Sequence, residues 1–188
     1  YEICACLVGS EMCIRDRNVQ AQKTSLVMGD ETIHLWGKEA IEEQINEVTF
    51  DLSPRAFFQL NPQQTELLYG EGIKALDVQP NETIVDAYCG VGTIGLSVAK
   101  QAKEVRGMDT VPQAIADAKK NAERLGYHNT RYEVGTAEQV LPKWLNEGFQ
   151  PDGIIVDPPR TGLDNALIQS LLKYPPKKLV YISLSLIH

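Results

Sequence analysis

The sequence predicts an α/β protein whose core is a mostly parallel sheet. From residue 83 onward, short and almost wholly apolar segments alternate with segments whose apolar residues recur at helical spacing. Strands buried on both faces are apolar along their length, and helices cover both faces of a parallel sheet. One strand-to-helix junction, at residues 86–96, is rich in glycine, which is typical where such a sheet binds a ligand.

The composition is that of an ordinary globular protein with an acidic balance. Hydrophobic residues make up 43% of the 188 residues, and 18 Lys and Arg against 25 Asp and Glu give a formal net charge of -7. This balance excludes a protein that binds nucleic acid through a basic surface alone, so any RNA affinity is local or lies elsewhere. No apolar run approaches the roughly 18 residues that span a bilayer. The first residues also lack the order of a secretory signal, so we expect a cytoplasmic protein without a membrane partner.

The two ends of the chain differ from the rest. Residues 1–17 show no strand or helix period, and their stretch SEMCIRDR resembles the translated sequencing-adapter read-through found at the ends of environmental gene fragments. We therefore expect residues 1–17 to be non-native and residues 184–188 to be a non-native tail. Only Cys89 then remains, which indicates a reduced protein. On this ground we expect no metal in the chain, and neither a metal cluster nor a disulfide pair at Cys4, Cys6 and Cys13.

A small β appendage and linker is predicted over residues 18–60. Short alternating segments between residues 24 and 50 predict two or three antiparallel strands. A helix over 62–76 follows, because Asn61 is a favourable N-cap and Pro62 suits the first helical position.

The main domain is predicted over residues 61–183. Apolar runs predict its strands, and apolar residues at helical spacing predict the helices between them. The predicted elements after the first helix are, in chain order, the strand 83–89, the helix 93–100, the strand 104–109, a helix from Pro112 that stops at Gly126, the strand RYEV, the helix 137–146, the strand GIIVD, the helix 165–173 and the strand KLVYIS.

The sharpest motif lies where the first strand of this domain turns into a helix. Gly90, Gly92 and Gly95 satisfy G-x-G-x-x-G, a pattern that by itself fits NAD, FAD or S-adenosylmethionine. Asp86, just upstream, repels a pyrophosphate but favours the ammonium group of S-adenosylmethionine. Asp109, at the end of the second strand, is placed to accept both hydroxyls of a ribose. The structural alternatives are a loop-capping carboxylate for Asp86 and a helix-start cap for Asp109.

A second motif, Asp157-Pro158-Pro159-Arg160, follows another predicted buried strand. Two consecutive prolines remove two backbone donors and keep the loop extended, so Asp157 projects from a rigid platform. Ligands of open α/β sheets bind at this edge, which makes Asp157 a candidate site residue. The alternative is a tight strand-to-helix turn with a purely structural role.

Three segments within residues 24–183 resemble the RNA uracil-C5 methyltransferases, in particular the type that acts on 23S ribosomal RNA: SPRAFFQLNPQQTELLY, DAYCGVGTIGL and VDPPRTGL. The resemblance implies a Rossmann-like class I S-adenosylmethionine-dependent methyltransferase domain that is incomplete at its C-terminus. Together with the loop motif, it predicts a cofactor site formed by Gln59, Asp86, Tyr88, Gly90, Gly92, Asp109 and Asp157.

The family often has Glu at the position of Asp109, and a carboxylate that is one methylene shorter still reaches a ribose. For Gln59, the alternative is a polar cap at the edge of a hydrophobic contact made by Phe57 and Phe58.

In this family, a cysteine thiolate adds to C6 of uracil, C5 then accepts the methyl group, and a carboxylate base removes the C5 proton. The family's nucleophile follows the fifth main strand in a Ser-Cys-Asn-Pro stretch, whereas here Ser183 is followed by Leu184. Cys89 is not a substitute, because it lies in the cofactor loop, where the family does not use it for covalent chemistry. We therefore expect no catalytic residue in the chain as written, weak binding of S-adenosylmethionine and no turnover.

The resemblance implies RNA, in particular 23S ribosomal RNA, as the partner, and we expect a monomer. It also implies an upstream RNA-binding barrel, which in this family often carries an iron-sulfur cluster. Three alternatives stay open. A methyltransferase that acts on an amino group would use residues 157–160 as its acceptor loop, a non-catalytic cofactor-binding or RNA-binding module fits a genuine Leu184, and an NAD-binding oxidoreductase domain fits the glycine pattern alone.

Overall fold

Two β-hairpins precede the main sheet. The computed structural model describes residues 14–21, 28–29 and 31–183. Strand β1 (Ile14–Val19) pairs antiparallel with β2 (Glu31–Gly37), and β3 (Ile41–Ile45) pairs antiparallel with β4 (Val48–Leu52). The predicted β appendage is confirmed: β2, β3 and the start of β4 are the described strands within residues 24–50, where two or three were predicted, and β1 precedes them.

The first strand begins earlier than the sequence pattern indicates. The absence of a period predicts no regular element at residues 14–17, yet they form the first part of β1, and Ile14 is buried. Pairing with β2 accounts for the difference, and Asn18 Nδ2 anchors the strand by donating to the carbonyl oxygen of Gly29 at 3.0 Å. The non-native origin of the N-terminal segment stays a prediction. Its three cysteines, Leu184 and the tail after Leu184 lie outside the described residues.

The main domain is a parallel five-stranded sheet with a helix in each crossover, which confirms the predicted α/β class and the Rossmann-like fold. The strand order is β7-β6-β5-β8-β9. Among the described residues, no helix is both long and apolar enough to cross a membrane. The elements are α1 (Pro62–Leu76), β5 (Thr83–Ala87), α2 (Thr93–Ala99), β6 (Glu104–Asp109), α3 (Pro112–Arg124), β7 (Thr130–Val134), α4 (Ala137–Asn146), β8 (Gly153–Val156), α5 (Asn165–Lys173) and β9 (Lys178–Tyr181).

The two faces of the sheet carry separate hydrophobic clusters. Helices α1, α2 and α3 and the β3–β4 hairpin pack on one face, and helices α4 and α5 pack on the other. The chain leaves β5 toward β6 on one side and later returns to β8 on the other side. Such a reversal of strand order opens a crevice at the carboxyl ends of the strands, and ligands of this fold class bind there.

Helix α1 lies close against the sheet and is fixed at its start. The Asn61 side chain accepts a hydrogen bond from the Gln64 amide at 3.2 Å, and Pro62 takes the first helical position, as predicted. A Cβ at Gly72 would lie 3.3 Å from Ile182 Cδ1 and 3.5 Å from Ile155 Cδ1. The small residue therefore lets the helix approach β8 and the end of β9, and it brings the first turns of α1 to the crevice.

Candidate functional site

A cavity of about 860 Å³ occupies this crevice. Its walls come from the glycine loop after β5, the ends of β6 and β8, the end of β9, and the segment that enters α1. Its size falls within the range typical of small-molecule sites. Six of the seven residues predicted to bind the cofactor line it: Gln59, Asp86, Tyr88, Gly90, Asp109 and Asp157.

The glycine loop takes a left-handed backbone conformation at alternate positions. The φ angles are 66° at Tyr88, 53° at Gly90 and 85° at Gly92. Gly90 N donates to Asp109 Oδ2 at 3.0 Å, which ties the loop to the end of β6. Gly92 is the predicted residue that does not line the cavity. A Cβ there would lie 2.9 Å from the Tyr132 hydroxyl oxygen, so glycine is needed for close packing beneath the loop.

Asp86 is buried directly under the loop. Its Oδ2 accepts a hydrogen bond from Gly95 N at 2.7 Å, which is the contact expected of a loop-capping carboxylate. Asp86 also lines the cavity, so it has both positions. Burial raises the pKa of this carboxyl to about 7; the Gly95 amide opposes the rise, and the charges of Asp157 and Asp109 add to it. Asp86 therefore titrates near neutral pH.

Asp109 bridges the glycine loop and the start of α3. Besides the bond from Gly90, its Oδ1 accepts a hydrogen bond from Val111 N at 2.9 Å, which matches the helix-start alternative. A carboxylate offers about four acceptor positions, so two amide donors leave room for ligand hydroxyls.

Asp157 meets two polar side chains from the entry to α1. Tyr69 Oη donates to Asp157 Oδ2 at 2.9 Å, and the Gln59 side chain hydrogen-bonds to both groups. Burial raises the pKa of Asp157, while the bonds from Tyr69 and Gln59 act in the opposite direction. The sequence interpretation missed Tyr69. Helical spacing predicts that Tyr69 lies on the buried face of α1. No local sequence signal predicts its contact with a carboxylate that is 88 positions away.

Two further residues of the loop differ in environment. The Tyr88 hydroxyl donates to Glu138 Oε1 at 3.1 Å, which links the loop to the first turn of α4. Cys89 is buried, and burial together with the charges of Asp86 and Asp109 raises the pKa of its thiol well above the usual value. A protonated, buried thiol is a poor nucleophile, which supports the exclusion of Cys89 from covalent chemistry.

The donor set of the cavity fits a cationic nucleoside ligand. Three carboxylates, Asp86, Asp109 and Asp157, line one space, and each favours positive charge in the ligand. S-Adenosylmethionine offers an ammonium group, a sulfonium centre and two ribose hydroxyls, whereas the pyrophosphate of NAD would meet like charge. No group of three His, Cys, Asp or Glu side chains suited to hold a metal ion occurs in the part of the chain that the structure describes.

Comparison with known proteins agrees with this geometry. Residues 79–158 match a family model described as a methyltransferase domain. An uncharacterized RNA methyltransferase of Enterococcus faecalis is 75% identical over 167 residues, which cover 89% of this chain and 37% of that protein. A second one, from Listeria monocytogenes, is 62% identical over 167 residues, 89% of this chain and 36% of that protein. The chain contains a methyltransferase domain and is similar to RNA methyltransferases over most of its length.

A solved structure is also similar to the chain. The tRNA (uracil-54, C5)-methyltransferase of Pyrococcus abyssi, in complex with S-adenosyl-L-homocysteine, matches with a TM-score of 0.71 and 32% identity. The match covers 87% of this chain and 39% of that chain. The chain thus spans little more than a third of the length of the relatives that it matches. The family resemblance is confirmed, and the 23S ribosomal type stays a prediction.

Proposed function

We propose that the protein transfers a methyl group from S-adenosylmethionine to C5 of a uridine in RNA, and that the domain described here binds the methyl donor. The observation that carries the proposal is the convergence of Asp86, Asp109 and Asp157 on one cavity beside a glycine loop. The Pyrococcus abyssi relative supports both parts, since its name specifies a uracil C5 target and its ligand is the donor without the methyl group.

In the proposed site, different cavity residues contact different groups of the donor. When bound, S-adenosylmethionine supplies a methyl group on a sulfonium centre. In the proposed arrangement, Asp109 accepts hydrogen bonds from the ribose hydroxyls, and Gly90 lets the backbone approach the ligand. Ionised Asp86 attracts the ammonium group. Asp157, Gln59 and Tyr88 complete the cofactor contacts.

The acceptor chemistry requires activation, because C5 of uracil is a poor nucleophile. In the full-length protein, we propose that a cysteine thiolate adds to C6, that C5 then accepts the methyl group, and that a base takes the C5 hydrogen as a proton before the thiolate leaves. Leu184 stands at the position of this cysteine in the present chain, and leucine cannot form the bond. The chain itself is therefore expected to bind the donor without turnover.

The proposed acceptor is 23S ribosomal RNA, with the target uridine unpaired or flipped out of its helix so that it reaches the cavity. The net charge of -7 favours RNA contacts that are local or made by other parts of the full-length protein. The acidic domain thus serves the donor, and RNA affinity belongs to the complete protein.

A tritium-release assay tests the site of methylation. The source locus is sequenced outward from codons 83–160, and the full-length protein is incubated with S-adenosylmethionine and 23S ribosomal RNA that carries tritium at C5 of uridine. Methylation at C5 must release that tritium to water. Methylation of an amino group adds methyl without tritium release, so methylated RNA with retained tritium would replace the uracil proposal by the amino-acceptor alternative. Unmodified transfer RNA in parallel reactions tests the choice of RNA.

A further inference from the structure

Tyr69 makes a contact that the proposed function leaves without a role. The residue lies on α1 with only 6% of its surface exposed, and its hydroxyl reaches Asp157 Oδ2 at 2.9 Å across 88 positions of sequence. Both side chains line the cavity. Burial raises the pKa of the Tyr69 phenol far above its usual value, with the Asp157 charge as a second cause, so the hydroxyl stays protonated and donates.

The fold places this hydroxyl by two independent features. The cap at Asn61 fixes the start of α1, and Gly72 allows the helix to approach Ile155 and Ile182 closely. Tyr69 lies one turn before Gly72 on the buried side of the helix, and its hydroxyl reaches the residue that follows β8. The two prolines after Asp157 hold the other partner in place. The backbone around each residue therefore helps to hold both partners of the hydrogen bond in place.

We propose that Tyr69 is a positioning residue, whose hydroxyl holds the Asp157 carboxylate in the orientation that binds the methyl donor. A hydrogen bond from a buried neutral donor to a carboxylate is among the stronger ones in proteins. Gln59 is a second hydrogen-bond partner of this carboxylate, which keeps further acceptor positions for the ligand. The inference rests on the proposed function, because Asp157 must contact the donor for its orientation to matter.

The test is removal of the hydroxyl alone. Tyr69→Phe keeps the ring and its packing, and the affinity for S-adenosylhomocysteine is followed by amide NMR titration of the chain. We expect the affinity to fall about tenfold, which corresponds to roughly one hydrogen bond to a charged group. In an Asp157→Asn background, the same change is expected to alter affinity by less than about threefold, since the charge that it acts through is gone.

A second readout separates positioning from general loosening. Carbon-13 NMR titration of the Asp157 carboxyl is expected to give a higher pKa in Tyr69→Phe than in the wild type, because a donor to the ionised form has been removed. The matched control is Tyr127→Phe, a tyrosine outside the cavity, which is expected to change neither value. Urea unfolding of each variant shows that the fold persists.

The possible results distinguish failure of the positioning role of Tyr69 from failure of the proposed donor site. Wild-type binding with unchanged affinity in Tyr69→Phe overturns the positioning role alone. An equal loss in the wild-type and Asp157→Asn backgrounds also overturns it, since the hydroxyl would then act without the carboxylate. Failure of the wild-type chain to bind S-adenosylhomocysteine at all overturns the proposed donor site and the positioning role with it.

Discussion

Replacing Asp86 by asparagine is expected to stabilise the protein at alkaline pH. Asp86 is 1% exposed, and its pKa rises from 3.8 to about 7 on folding, chiefly through burial. Between these values, the folded chain holds a proton that the unfolded chain has lost, so stability falls as pH rises from about 4 to 7. Three pKa units correspond to an upper bound of about 4 kcal/mol.

The Asp86→Asn side chain does not titrate and keeps an amide oxygen for the Gly95 N–H. At pH 5 the variant should exceed the wild type in free energy of unfolding by less than at pH 8, because only the first part of the range between pH 3.8 and 7 has been crossed. At pH 8 its free energy of unfolding should exceed that of the wild type by about 1–4 kcal/mol. Urea denaturation followed by circular dichroism at both pH values measures the difference.

Asp152 provides a control of opposite sign. Its pKa is lowered, first by the hydrogen bond from Lys177 and then by donors from Thr83, so its ionised form stabilises the fold. Asp152→Asn should therefore lose stability at pH 8, where Asp86→Asn gains it. A variant Asp86→Asn that is less stable than the wild type at pH 8, or shifted equally at pH 5 and pH 8, would refute the reasoning from burial.

Four further predictions follow from the same region. If donor binding requires ionised Asp86, the affinity for S-adenosylhomocysteine by calorimetry should be up to roughly eightfold higher at pH 7.5 than at pH 6, and flat in Asp86→Asn. Glu138→Ala and Tyr88→Phe should each weaken that affinity, and the double variant should lose no more than either single variant, because both changes remove the same hydrogen bond. Glu138→Gln keeps an acceptor and should keep the affinity. Additive losses in the double variant would contradict the contact. Gly95→Ala should lower the free energy of unfolding by about 1–3 kcal/mol, because its Cβ would lie 3.0 Å from Asp86 Oδ2. Gly70→Ala on α1 should raise it by about 0.5–1 kcal/mol, because its Cβ would make only an ordinary contact, 3.7 Å from Asn46 Oδ1; equal effects of the two changes would exclude the clash. Tyr132→Phe should leave the free energy of unfolding in urea unchanged or raise it by up to about 1 kcal/mol, since the buried hydroxyl has no hydrogen-bond partner among the described residues. A large loss of stability would show that the hydroxyl has a partner.

The sequence predicted local structure well where local chemistry decides it. Helix α1 begins and ends at the predicted residues. Its start was predictable because Asn61 and Pro62 determine it independently of the rest of the fold. The first strand, at Ile14, was not predicted, because its order comes from pairing with β2. Strand pairing is a non-local contact that a single segment does not encode.

The same distinction holds in the candidate site. Asp86, Asp109 and Asp157 were predicted because each lies at or beside the carboxyl end of a strand, and the strand ends of a parallel sheet meet at one edge, where all three line the cavity. Gly92 satisfies the glycine pattern, yet it packs against Tyr132, which becomes its neighbour only after folding. Tyr69 and Glu138 were missed for the same reason. Each makes a hydrogen bond to a predicted site residue that is 50 or more positions away in sequence.

The three carboxylates that line the cavity make the ligand-free domain less stable. Asp157 and Asp109 both add to the raised pKa of Asp86, which means that the three charges oppose one another in the folded chain. A cation bound among them relieves that repulsion, so donor binding as proposed is coupled to folding through the same side chains. Under the proposed function, methyl transfer removes the sulfonium charge and with it part of this relief. The cavity should therefore hold the donor more tightly than the demethylated product, a difference that favours exchange of product for donor after each reaction.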